Sequence, residues 1–318
     1  MLKITNFAPK DRQTMKQYIS IISLLILTFT CCTTQEQKHL SSQDFSQEDV
    51  QELADINGKG RVQNLPYAPS STRNRAEQII VREAYTLSYN KDWVNCNWVY
   101  WKLTRDHCKG NNQRGNEKFT EDDEVNGRKA THQDYVQSGY DRGHMCPAGD
   151  NKWSKTAISQ TFKLSNICPQ NHNLNTGDWN DLEQACRLWA KTYGEVYIVC
   201  GPIYYDGVKK RLKNKVGVPD AFFKCVVRLN GKPSGLGFIY KNNGKHHEME
   251  DYLCTIDEVE RTTGLDLFKG MPSESSIEAN ADFNAWRHYD PDYSKKRDRN
   301  KFDNTRSGGK KKNKKHNR

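Results

Sequence analysis

The sequence predicts an α+β fold. Several runs rich in β-forming residues are separated by turn signals, and one long segment places its apolar residues at helical spacing. Strands and helices do not alternate as a parallel sheet would require, which favours a layered α+β arrangement. The 318 residues leave room for one large domain or two small ones. Hydrophobic content is 35%, low for a soluble enzyme, so disordered stretches are expected to dilute a folded body.

The elements follow in order. Tyr18–Thr30 is a short apolar run behind Met15-Lys16 and ahead of Cys31-Cys32. A basic start, a short apolar core and a small-residue end describe an export signal, and the run is too short to span a bilayer comfortably. Cysteine directly after the apolar core resembles a bacterial lipoprotein signal. Residues 1–32 therefore read as a lipoprotein-like signal peptide, with either Cys31 or Cys32 as the lipid anchor. The protein is expected in the cell envelope, the periplasm or the medium. Residues 33–75 are polar and read as a disordered linker. The folded body is expected over 76–292.

Within it, Asn97–Thr104 and Glu195–Gly201 read as strands. Ala221–Leu229 and Gly235–Tyr240, joined through Asn230-Gly231, read as an antiparallel pair. Trp179, Leu182, Cys186, Trp189 and Tyr193 recur at three- and four-residue steps and predict a helix ended by Gly194. Asp257 and Glu260 read as a capping pair for a short helix ending at Gly264.

The net charge of +10 resides in the tail. From Lys295 to Arg318 there are 12 basic and 2 acidic residues, and the rest of the chain balances 37 against 37. The basic pI thus implies no basic face on the body. Residues 293–318 read as a disordered tail, suited either to gripping phosphates or to solubility. Eight cysteines lie in the body, none in a Cys-x-x-Cys pair, which excludes a zinc ribbon or a thioredoxin-like site. In an exported chain their even number predicts disulfides, with no pairing assigned; buried free thiols are the alternative.

Phosphodiester hydrolysis requires a base for water, neutralisation of charge on the phosphoryl oxygens and stabilisation of the leaving oxygen. Asp141-Arg142-Gly143-His144-Met145 sets a histidine beside an arginine on a Gly-relaxed segment. Thr161–Gln170 reads as a second strand. If a helix then begins near Asn173, four-residue steps run from Asn175 past Trp179 to Glu183 and Arg187. One helix side would carry an amide oxygen, a carboxylate and a guanidinium, a donor set that suits Mg²⁺.

At these residues the sequence resembles the DNA/RNA non-specific endonuclease family, the ββα-metal enzymes that include endonuclease G. The resemblance begins near Arg114, passes through Phe119–Val125 and Arg128–Tyr135, and is strongest over Gly139–Asp150 and Thr161–Arg187. It continues through Val196–Pro202 to Asp257–Leu267. It implies a ββα-metal finger on a mainly antiparallel central sheet flanked by helices. It also implies a metal-dependent endonuclease acting on DNA or RNA, with Mg²⁺, or Mn²⁺ in its place, and 5′-phosphate products. By this resemblance His144 is the general base, Asn175 the direct metal ligand, and Glu183 the carboxylate one shell out. Arg142 and Arg187 lie near the scissile phosphate, Arg114 binds phosphate upstream, and Asn166 supports the second strand. Asp141 is expected to orient a neighbour. His132, His172, His246 and His247 read as ordinary loop residues, and Trp179 and Trp189 as core. A homodimer is compatible with the reading. The competing functions are a non-catalytic exported nucleic-acid binder and a phosphodiesterase for a small substrate.

Overall fold

A computed structural model describes residues 66–290. The signal segment, the tail and the linker up to residue 65 lie outside the described residues. The strands that open the fold are β1 (Ser70–Ser71), β2 (Gln78–Val81), β3 (Thr86–Asn90) and β4 (Asn95–Thr104). Helix α1 (His132–Tyr135), strand β5 (Asp141–His144), helix α2 (Lys155–Thr161) and strand β6 (Ile167–Gln170) follow. Then come α3 (His172–Thr176), α4 (Asp178–Tyr193), β7 (Glu195–Ile203), β8 (Arg211–Leu212), β9 (Val216–Gly217), β10 (Ala221–Arg228) and β11 (Ser234–Lys241). The last elements are β12 (Leu253–Cys254), α5 (Ile256–Thr263), β13 (Leu265–Asp266) and α6 (Glu274–Glu278).

Seven strands form the central sheet in the order β12-β11-β10-β7-β4-β3-β2, and every neighbouring pair is antiparallel. The architecture is α+β, as the sequence predicts. Both faces are buried, because side chains alternate along each strand. On β7, Val196, Ile198 and Cys200 join one apolar core while Tyr197 and Val199 join another. Helix α4 covers the first face with Trp179, Leu182, Ala185, Cys186, Trp189 and Ala190, all buried. Burying each large apolar side chain contributes about 1.5–3 kcal/mol. Helices α5 and α6 cover the opposite face through Ile256, Val259 and Ile277.

Four details differ from expectation. Residues 66–75 lie in the segment read as linker, yet β1 pairs with β13 and the Tyr100 hydroxyl donates to the Pro66 carbonyl at 2.5 Å. Only Ile167–Gln170 of the expected strand Thr161–Gln170 is extended. Ser154 caps α2 by accepting from the Ala157 N–H at 3.2 Å, and the Asn166 amide donates to Thr161 and Cys146 carbonyls, bending the chain before β6. The capping pair of α5 is Thr255 with Glu258, two residues earlier than Asp257 with Glu260: the Thr255 N–H donates to the Glu258 carboxylate at 2.8 Å and the Glu258 N–H to the Thr255 hydroxyl at 3.1 Å.

The cysteines form the fourth. Cys96, Cys108, Cys146, Cys168, Cys186, Cys200, Cys225 and Cys254 are all free thiols. Six are fully buried and pack as small apolar side chains, so the expected disulfides are not formed among the described residues. Burial pushes the Cys186 thiol up to about 12.

Candidate active site

Strands β5 and β6 pair antiparallel, with Asp141 opposite Gln170 and His144 opposite Ile167. Close approach is possible because Gly143 has no side chain: a Cβ there would stand 2.6 Å from the Gln170 Cβ and collide with its amide. Asn166 clamps the exit of β5, since its side-chain oxygen accepts from the Cys146 N–H at 2.9 Å and its amide donates to the Cys146 carbonyl at 2.9 Å. It is fully buried, which fits a supporting part. The Trp179 indole on α4 donates to the His144 carbonyl at 3.3 Å, so strand, strand and helix form one connected unit.

The His144 ring is packed edge-on against Phe162, with centroids 5.0 Å apart, and tilted against Phe119 at 5.3 Å. The Arg114 guanidinium lies 4.6 Å over Phe162, and Arg142 lies 5.6 Å over Phe119 and 5.5 Å over Tyr135. Arg114, the upstream arginine, thus sits beside the histidine. His144 Nε2 is sealed from solvent without a hydrogen-bond partner among the described residues. Burial, aided by the positive charge of Arg114, pushes the imidazole down to about 3, so it is neutral near pH 7. Arg142 also reaches the carbonyl of His132 at 3.3 Å, a residue read from the sequence as ordinary loop.

Asn175 lies on α3, and its amide nitrogen donates to Asp141 Oδ2 at 2.9 Å. The same oxygen meets His172 Nδ1 at 2.9 Å. Asp141 therefore holds the Asn175 side chain by this hydrogen bond. With its nitrogen committed, Asn175 has its carbonyl oxygen as the remaining donor to a hard cation.

Glu183 and Arg187 are one helical turn apart, but the nearest approach of their charged atoms is 3.9 Å. Arg187 instead holds Asp150 at 2.7 Å, and the Trp101 indole donates to the other Asp150 oxygen at 3.1 Å. Burial pushes Glu183 up to about 7, against the pull of Lys224 and then Arg187. Lys224 is itself buried, 4.2 Å over the Trp179 ring. Burial opposes its charge, but Glu183, foremost of its neighbours, keeps it protonated above the usual lysine range.

The expected line from Asn175 through Glu183 to Arg187 is not one helix face. The chain breaks at Gly177 (φ −106°, ψ −110°), which separates α3 from α4. A Cβ at Gly177 would stand 2.7 Å from the Asn173 carbonyl oxygen. The structure thus gathers His144 with Arg114 and Arg142, Asn175 with Asp141, and Glu183 with Arg187. Sequence reasoning gave no part to Asp150, Lys224, Phe119 or Phe162. For Lys224 there was a signal: one cation inside the apolar run Phe222–Val227.

A family model described as DNA/RNA non-specific endonuclease matches residues 65–274. Human mitochondrial endonuclease G is 36% identical over 203 residues, covering 59% of this chain and 68% of that protein. The mitochondrial nuclease EXOG of Xenopus laevis is 34% identical over 221 residues, covering 64% of this chain but only 62% of its own length. Among solved structures, a chain from the crystal structure of the EndoG/EndoGI complex matches with a TM-score of 0.58 and 29% identity, over 61% of this chain and 86% of that one.

Proposed function

The chain belongs to the DNA/RNA non-specific endonuclease family, and from that premise we propose that it hydrolyses phosphodiester bonds of DNA, RNA or both, using one divalent cation and His144 as general base. The observation that carries the proposal is a neutral imidazole packed beside Arg114 and Arg142 on a strand bound through Asp141 to Asn175.

Asn175 would hold the cation directly through its carbonyl oxygen, and Glu183 through an intervening water. The donor set fits: both offer oxygen, and Glu183 is a buried carboxyl raised to about 7 that a nearby cation would ionise. Mg²⁺, or Mn²⁺ in its place, would neutralise charge developing on the phosphoryl oxygens and stabilise the leaving oxygen. His144 takes the proton of the attacking water. With Nε2 sealed in protein, Nδ1 is the nitrogen left to do so. An imidazole held near 3 is a weak base in the free protein, but a phosphate diester arriving at Arg114 and Arg142 places negative charge beside it and raises its proton affinity. Arg142 and Arg114 grip the phosphate. Arg187, pinned by Asp150, supports Glu183 and adds positive charge behind it. Cleavage of the P–O3′ bond, with the 3′ oxygen departing as a hydroxyl, would leave 5′-phosphate ends.

The apolar run before Cys31-Cys32 supports export with a lipid on one of those cysteines, and the mass of the mature N-terminus tests it. The catalytic proposal is tested with the full chain, plasmid and RNA, in Mg²⁺ or chelator. Cutting is expected only with metal, and His144→Ala is expected to lose about 10²–10⁴-fold in rate. Tight binding without cutting by the unaltered protein would establish the non-catalytic alternative instead.

A further inference from the structure

Across the central sheet from His144, helices α5 and α6 bring together carboxylates that the proposed hydrolysis does not use. One oxygen from each of Asp257, Glu260 and Glu278 lies within 4.8 Å of the other two. Asp257 and Glu260 are half-buried; Glu278 is only 7% exposed. Its Oε1 is sealed from solvent and has no hydrogen-bond partner among the described residues. An unpartnered carboxyl oxygen in such a place is costly unless something fills its coordination. The charged groups that act on Glu278 are further carboxylates: Glu260, Glu274, Asp257 and Asp266. Asp266 is neutralised by Lys269 at 2.8 Å, and Glu260 and Glu274 each commit one oxygen to a backbone N–H, of Leu267 and Gly270. Among the described residues no ion pair reaches Asp257, Glu260 or Glu278. Burial first, and these like charges next, push the Glu278 carboxyl up to about 8.

We propose that Asp257, Glu260 and Glu278 form a second divalent-cation site, a structural Ca²⁺ site that staples α5 to α6 and is separate from the hydrolytic centre. Its chemistry is oxygen only, which selects a hard cation. Three carboxylates converging on one point favour Ca²⁺, which takes many protein oxygens in a flexible arrangement, over Mg²⁺, which keeps most of its waters and is bound through one or two carboxylates. The half-buried Asp257 and Glu260 leave the outer side open to the waters that complete six to eight ligands, as Ca²⁺ requires. The ion would join the first two turns of α5 to the last residue of α6, two elements that close the apolar core of that face.

The test is thermal unfolding of the full chain in chelator and in Ca²⁺ at about a hundred times its dissociation constant. The wild type is expected to gain about 5–10 °C with Ca²⁺. Glu278→Gln should melt at or above the wild type in chelator, because a repulsive carboxyl is gone, yet lose at least half of the Ca²⁺ gain. Asp257→Asn, at a more exposed ligand, should lose it likewise and keeps the test open if the buried substitution fails to fold. Mg²⁺-dependent nuclease activity of Glu278→Gln should remain at the wild-type level. No gain in the wild type, or an equal gain in both variants, overturns the proposal.

Discussion

Burial that holds His144 neutral has a signature in proton linkage. The unfolded chain takes up a proton at an imidazole near pH 6.5, whereas the folded chain resists until about 3. Between these values the unfolded state binds more protons, so stability conferred by the neutral form is lost as pH falls through that window. Denaturant unfolding from pH 6.5 down to 4 should therefore show a shallower loss in His144→Ala than in the wild type, by up to about one proton; equal slopes would mean the imidazole is not held neutral. The Asp150–Arg187 pair makes a second claim at this scale. Asp150→Ala strands a buried guanidinium and should cost about 3–5 kcal/mol in urea unfolding. The sequence singled out His144, Asn175 and Glu183 because residue types suited to the proposed hydrolysis stood in the order of the family it resembles. It concealed Asp150 and Lys224, whose importance comes from contacts across the fold: one meets Trp101 and Arg187, the other Trp179 and Glu183. Spacing along the chain carries no trace of such partners.

Elements were legible where one periodicity ran uninterrupted. Strands β4, β7, β10 and β11 and helix α4 match their expected spans within a few residues, because each has a buried face long enough to impose its repeat on the sequence. Short elements were not. The stretch Lys155–Gln170 switches from helix to turn to strand within sixteen positions, and side-chain bonds from Ser154 and Asn166 decide where it switches. The break at Gly177 is likewise a backbone event with no apolar signature. Strand β5 depends on a close approach, and this gives a test. Gly143→Ala should force β5 from β6, since the new methyl meets Gln170. Nuclease rate should fall at least tenfold while the far-UV spectrum of the seven-stranded sheet persists, because that sheet does not include β5. A variant with full activity would show that the β5–β6 spacing does not position His144.

At the scale of the whole molecule, the sheet buries both faces and keeps the unit of β5, β6 and α4 beside one of them, so the residues proposed for hydrolysis rest against a buried apolar core. Charge is distributed differently. The net positive charge lies from Lys295 onward, beyond the described residues, so a tail that grips phosphates and one that only solubilises differ in a measurable way. Truncation before Lys295 should lower the slope of log affinity against log salt by about 0.9 for each duplex phosphate the tail contacts, with turnover at low salt retained. An unchanged slope would assign the grip to the folded body.

The free thiols lead to one more consequence. Six sulfurs lie fully inside the two apolar cores, where no alkylating reagent can reach them without disrupting the sheet. Their modification should follow the rate or equilibrium of global opening, whereas Cys108 and Cys254, at the margins, react earlier. Mass spectrometry after timed exposure to iodoacetamide would therefore separate fraying at the margins from opening of the sheet, with no dye or fluorophore added.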